Sequence, residues 1–219
     1  MTKPNIVIGL STRGKDIHHK LLNFLITQYV RTDIDVVLAV SECNVSAMVT
    51  VEKLWKTVKD VKFDYLLFVD SDTVPASNTI DVLIATGKDV VVAPIWYYDV
   101  YMKELHLNVH YVDDTQRLYM PKSHGVERIG ASSLGTTLIT RKVYDTFVEA
   151  GEHPVMWSKL IDKDYEFRHN DNIFFAKLRA LGIEAYVNWD AIGVEHYTAV
   201  GLSTESLTNF LKNAGFIND

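Results

Sequence analysis

The stretch Phe63–Pro75, FDYLLFVDSDTVP, decides the fold. Tyr65 to Val69 is an unbroken apolar run, too short for a helix and bounded by charged and turn-forming residues. It reads as a strand buried on both faces, which belongs in the centre of a sheet. Asp70, Ser71 and Asp72 follow at its carboxyl end, where open α/β sheets place their ligands. If strand geometry continues for two more residues, both carboxylates point the same way. Two anions on one face, with no Lys or Arg in the loop beyond, ask for a cation, and hard oxygen ligands suit a divalent metal. The competing reading is turn chemistry, with Ser77 capping the helix that begins in NTIDVLIATG.

Outward from this stretch, strands and helices alternate. Asn5 to Leu10 (NIVIGL) and Asp35 to Val40 (DVVLAV) are β-branched strands, and Asp89 to Pro94 (DVVVAP) is another. Between them lie the helical patterns IHHKLLNFLITQYV, Ser46 to Asp60 and Thr79 to Thr86. Four strands alternating with three helices predict a doubly wound, mostly parallel sheet flanked by helices, the α/β class. After Pro94 the texture changes to the aromatic IWYYDVYMKELHLNVHYVDDTQRLYMP, read as short strands or a loop. Val126 to Thr140 carries Gly130 and Gly135 where backbone must approach something closely, and Arg141 to Ala150 is helical. Asn170, Asp171 and Asn172 open a helix that ends at Gly182 as a C-cap, followed by a strand over Glu184 to Val187. His196 stands in GVEHY, and Thr204 to Phe216 forms a last helix.

At 219 residues and 47% hydrophobic, the chain supplies one compact core, here divided into a 1–94 half and a 95–219 half. A net charge of -6 without a dense Lys/Arg cluster excludes a phosphate-backbone footprint, so nucleic acid is not the expected partner. Cys43 is the single cysteine, which rules out an intrachain disulfide framework and fits a reducing cytosol. No apolar run reaches the length of a secretory signal core or a membrane span. The expectation is a soluble cytoplasmic protein, with homo-oligomerisation left open.

An apolar strand ending in Asp70-Ser71-Asp72, a Gly-rich strand leading to Arg141-Lys142, a helix opened by Asp171 before Phe174 and Phe175, and the late His196 stand in a family order. The chain resembles a small GT-A-type glycosyltransferase dependent on nucleotide sugars, close to the family 2-like enzymes of phages and other viruses, whose site is then the host cytoplasm. The resemblance runs from Asn5 to Tyr197. It implies a single GT-A-like domain, a nucleoside-diphosphate sugar donor, an acceptor hydroxyl on a glycan, protein or small molecule, and Mn2+ or Mg2+.

The same resemblance assigns roles. Asp72 and His196 become the metal ligands, with Asp70 near the ribose and the metal waters; Ser11 and Arg13 lie in the loop that seats the nucleotide. Gly135 belongs to the sugar and acceptor loop, and Asp171 becomes the general base. Two departures stand out: the family's Glu-Asp pair reads Asn170-Asp171, and its Arg-Asn pair reads Cys43-Asn44. Asp171 also suits a plain N-cap role. Trp96, Tyr97, Tyr98 and Tyr101 offer flat faces for sugars, or simply core aromatics.

Two rivals remain. LLFVDSDTV also fits the nucleophile strand of haloacid dehalogenase-like phosphatases, with Asp70 attacking and Asp113-Asp114 as a second acidic pair, although a long α/β stretch precedes it. The other is a GT-A-like domain kept as a binding or structural subunit.

Overall fold

The computed structural model describes residues 3–12, 17–43, 46–99, 104–110, 124–156, 158, 160 and 170–197. Its first half follows the predicted alternation: β1 (Asn5–Thr12), α1 (His19–Tyr29), β2 (Asp35–Glu42), α2 (Ala47–Thr57), β3 (Tyr65–Asp70), β4 (Thr73–Val74), α3 (Thr79–Ile84) and β5 (Val90–Val92). The second half is more broken. A hairpin of β6 (Trp96–Asp99) and β7 (Glu104–Leu107) precedes β8 (Val109–His110), β9 (Val126–Ile129) and β10 (Ala131–Ser132). A 3-10 turn (Leu134–Thr136), β11 (Thr137–Thr140), α4 (Arg141–Glu149), α5 (Asn170–Ala180), β12 (Ala185–Asn188) and β13 (Glu195–His196) complete it.

Seven strands form the main sheet in the order β2-β1-β3-β11-β5-β12-β9. β1 is parallel to both β2 and β3, and β5 is parallel to β12. β11 lies antiparallel between β3 and β5, and β9 is an antiparallel edge. The continuous apolar run of β3 is explained by its place: Leu66 and Phe68 face one core layer while Leu67 and Val69 face the other. The first layer packs α2, α4 and α5 through Trp55, Tyr144, Phe147 and Phe174; the second packs α1 and α3 through Leu21, Phe24, Ile80 and Leu83. Each such fully buried side chain contributes about 1.5–3 kcal/mol relative to exposure.

Three sequence expectations need correction. Ser77 does not cap α3: the cap position is Asn78, and the Ser77 carbonyl instead accepts from Gln28 Nε2 at 2.7 Å. Ser11 does not lie in a loop but within β1, which runs on to Thr12 because both residues pair with β2, and the Val126 to Thr140 stretch of glycines and small residues resolves into two short strands, a 3-10 turn and β11. Strand geometry also stops at Asp70, since Ser71 and Asp72 form a turn before β4, so the two carboxylates do not share a strand face. Arg13, Asn44, Tyr101, Asp113-Asp114 and the Thr204–Phe216 helix lie outside the described residues. Among the described residues no helix is long and apolar enough to cross a membrane.

Candidate active site at the carboxyl end of β3

β1 and β3 end side by side. Ser11 pairs with Asp70 in register, and Ser71 N–H donates to the Ser11 carbonyl at 3.0 Å, so the turn after β3 is hung on the end of β1. Ser11 and Thr12 are buried there, and the Thr12 carbonyl accepts from Cys43 N–H at 3.1 Å. Three strand ends thus converge at one rim.

The 3-10 turn closes on this rim from the β11 side. A methyl group placed on Gly135 would stand 2.7 Å from Asp70 Oδ2 and 3.3 Å from Thr73 Oγ1. Only hydrogen fits between this backbone and the half-buried Asp70 carboxylate, which is the close approach the sequence required of a glycine. The turn is fixed by Ser133, whose Oγ accepts from Gly135 N–H at 3.1 Å, and by Thr137 Oγ1, which donates to the Ser133 carbonyl at 2.7 Å.

Asp72 and His196 meet on the other side of the turn. β13 pairs antiparallel with β4, placing His196 opposite Thr73, and Tyr197 N–H donates to the Asp72 carbonyl at 2.6 Å. The result is Asp72 Oδ1 at 3.8 Å from His196 Nε2, with the Asp72 side chain 54% exposed and that of His196 22%. Residues more than a hundred positions apart in the chain thereby share one small rim.

This pair fits a divalent ion. Two ligands each about 2.1 Å from an ion stand at most about 4.2 Å apart, so both reach one ion across an open angle. An imidazole nitrogen with a carboxylate oxygen is a donor set for a divalent cation, and half-exposed Asp72 leaves room for further oxygens to complete the shell. Among the described residues no group of three His, Cys, Asp or Glu side chains stands close enough to hold a metal alone.

Asp171 lies in the first turn of α5, partly buried. The helix runs through Leu181 to Glu184, with Gly182 at φ +72 just past its end, into β12, which is parallel to β5. A short return of this kind brings the helix N-terminus, and Asp171, toward the carboxyl end of the parallel strands. Trp96, 41% exposed, opens β6, which runs beside β13.

Sequence reasoning missed Glu195, Tyr197, His18 and Lys20. Lys20 Nζ meets both Glu195 carboxylate oxygens, at 2.7 and 3.1 Å, and the Tyr197 hydroxyl donates to Glu195 Oε2. Lys20 first, and Tyr197 second, hold the Glu195 carboxyl below its ordinary pKa. The signal in the sequence was a Lys one turn into α1, visible only once β13 is known to pass it.

No family model matches the chain, and no curated protein matches it in sequence. Among solved structures, A197 from STIV is similar with a TM-score of 0.55 at 18% identity, over 89% of this chain and 86% of that one. S. aureus TarS 1-349 is similar at a TM-score of 0.45 and 14% identity, over 88% of this chain, which spans 60% of that fragment. Its complex with UDP-GlcNAc gives 0.44 over 90% of this chain. The mixed sheet with its antiparallel β11, the helical layers on both faces and the match to A197 make this a GT-A-like α/β fold.

Proposed function

We propose that the protein is a metal-dependent glycosyltransferase that moves a sugar from a nucleoside-diphosphate sugar to an acceptor hydroxyl. The observation that carries the reading is the approach of Asp72 Oδ1 to His196 Nε2 at 3.8 Å, at the carboxyl end of a central strand in a GT-A-like fold. A bound Mn2+ or Mg2+ would supply Lewis-acid neutralisation of the diphosphate leaving group. Asp72 and His196 would hold that ion. Asp70, close against Gly135, would orient the donor beside it, while Ser11 at the end of β1 and Arg13 beyond it in the sequence would serve the nucleotide. Asp171, at the N-terminus of α5, would take the proton from the acceptor hydroxyl as it attacks the sugar carbon.

The phosphatase alternative asks Asp70 to be an open nucleophile. Its Oδ2 lies against the Gly135 backbone, which favours a fixed binding role over attack.

The test is manganese and nucleoside-diphosphate binding by thermal shift. The wild-type chain should be stabilised by a nucleoside diphosphate with manganese, by about 2.7 kcal/mol at 100 times the dissociation constant. Asp72→Asn and His196→Ala should each weaken manganese binding by about 100-fold at unchanged melting temperature of the free protein. Stabilisation by magnesium without nucleoside preference, together with a hydroxylamine-sensitive phosphoryl adduct on Asp70, would instead establish the phosphatase.

A further inference from the structure

We propose that the first turn of α1 positions His196: His18 and Lys20 grip the residues on either side of it and so present its Nε2 to Asp72. The proposal rests on the reading of Asp72 and His196 as metal ligands. It begins from what the local fold leaves undetermined. β13 has two residues and, among the described residues, pairs only with the two-residue β4, a ladder too short to fix a side chain firmly. A metal-ligating histidine is ordinarily oriented by a hydrogen bond from its second nitrogen. Among the described residues the buried Nδ1 of His196 has no hydrogen-bond partner, so the direction of the ring depends on the backbone that carries it.

That backbone is held at both neighbours. Side chains alternate along a strand, so Glu195 and Tyr197 share one face and His196 has the other. The shared face meets α1. Lys20 Nζ binds both oxygens of Glu195, at 2.7 and 3.1 Å, and lies 5.6 Å from the centre of the Tyr197 ring. That ring stacks on His18 with centroids 3.9 Å apart and 19° between planes. The His18 ring is fixed in its turn, because its Nδ1 accepts from Lys20 N–H at 3.3 Å as the cap of α1. On the opposite side, Tyr197 N–H donates to the Asp72 carbonyl. β13 is pinned between α1 and the turn after β3, with His196 facing Asp72. His18 and Lys20 touch no reacting atom; they are positioning residues.

Manganese(II) alone, titrated into the full chain, tests this without any turnover. Free ion is read by its solution electron paramagnetic resonance signal, and the bound ion by pulsed resonance for nitrogen-14 coupling from His196. The wild type should show that coupling. His18→Ala with Lys20→Met should weaken manganese binding by about tenfold and diminish the coupling, while Lys20→Met alone has a smaller effect in the same direction. Lys20→Arg, which keeps a cation in reach of Glu195, should restore both. Variants that bind manganese with wild-type affinity and full coupling overturn the positioning role while leaving the ligands intact. A wild-type complex with no nitrogen coupling overturns the ligand reading, and this proposal with it.

Discussion

Asp171 and Lys177, both on α5, have opposite fates. Asp171 sits in the first turn, partly buried, while Lys177 lies in the last turn with no exposed surface at all. The buried end is held by partners. Lys177 Nζ donates to the His153 carbonyl at 2.5 Å and pairs with Glu152 at 2.9 Å. Beside it, Glu52 on α2, with its side chain 8% exposed, accepts from Val155 N–H and Met156 N–H at 3.0 and 3.1 Å and lies 3.0 Å from His153 Nδ1. This bridge ties α2 and α5 to the loop after α4. The rim, by contrast, keeps Asp72 more than half exposed and His196 partly so. The difference separates charges that hold the fold from charges available to a ligand: the first kind is enclosed and satisfied, and the second stays accessible.

Substitutions along α5 break the comparison most directly. Asp171→Asn should reduce sugar transfer by about 100- to 10,000-fold, the usual contribution of acid–base assistance, with donor affinity and melting temperature unchanged, since Asn serves a helix start as well as Asp does. Kinetics beside a denaturant curve check it. Transfer at the wild-type rate would reduce Asp171 to a local structural residue and merge the two ends of the helix into one role.

Lys177→Ala should act the other way, costing about 3–5 kcal/mol in urea unfolding, because Glu152 and the His153 carbonyl would be left buried without their cation. Lys177→Met sharpens the point. An apolar side chain of similar length fills the same volume, so most of the loss beyond the stranded Glu152 should return if packing rather than charge is what the position needs.

Gly135→Ala tests the seam between the two kinds of region. The added methyl would stand 2.7 Å from Asp70 Oδ2, so the carboxylate must move. The expected cost is about 1–3 kcal/mol of stability by overpacking, with a matching drop in donor affinity measured by calorimetry. A stable Gly135→Ala variant with wild-type donor affinity would show that Asp70 does not depend on this contact.

Much of the architecture could be read from residue patterns, because burial imposes periodicity. β3 is apolar from Tyr65 to Val69 because it has a core layer on each face, and the spacing of Leu21, Phe24 and Leu25 in α1 or of Val51, Leu54 and Trp55 in α2 marks the faces those helices bury. Asp70, Ser71 and Asp72 were legible for the same reason as the polar end of that strand, whereas the turn they make, which parts the two carboxylates, was not. The buried Glu52 was not legible: its α2 face carries the apolar pattern, and a carboxylate is admitted there only because two amides and His153 arrive from a distant loop.

The sequence by itself determined which strands are central, where the chain turns from strand to carboxylate, and that position 135 must lack a side chain. Tertiary structure alone decided that β11 enters antiparallel between β3 and β5, that Asp70 turns toward Gly135 while Asp72 turns toward His196, and that α1 grips Glu195 and Tyr197. The physical reason is range. Periodicity records whether a residue is buried, a property of each position in its own element, whereas the partner of a strand edge or a carboxylate is chosen by packing between segments far apart in the chain.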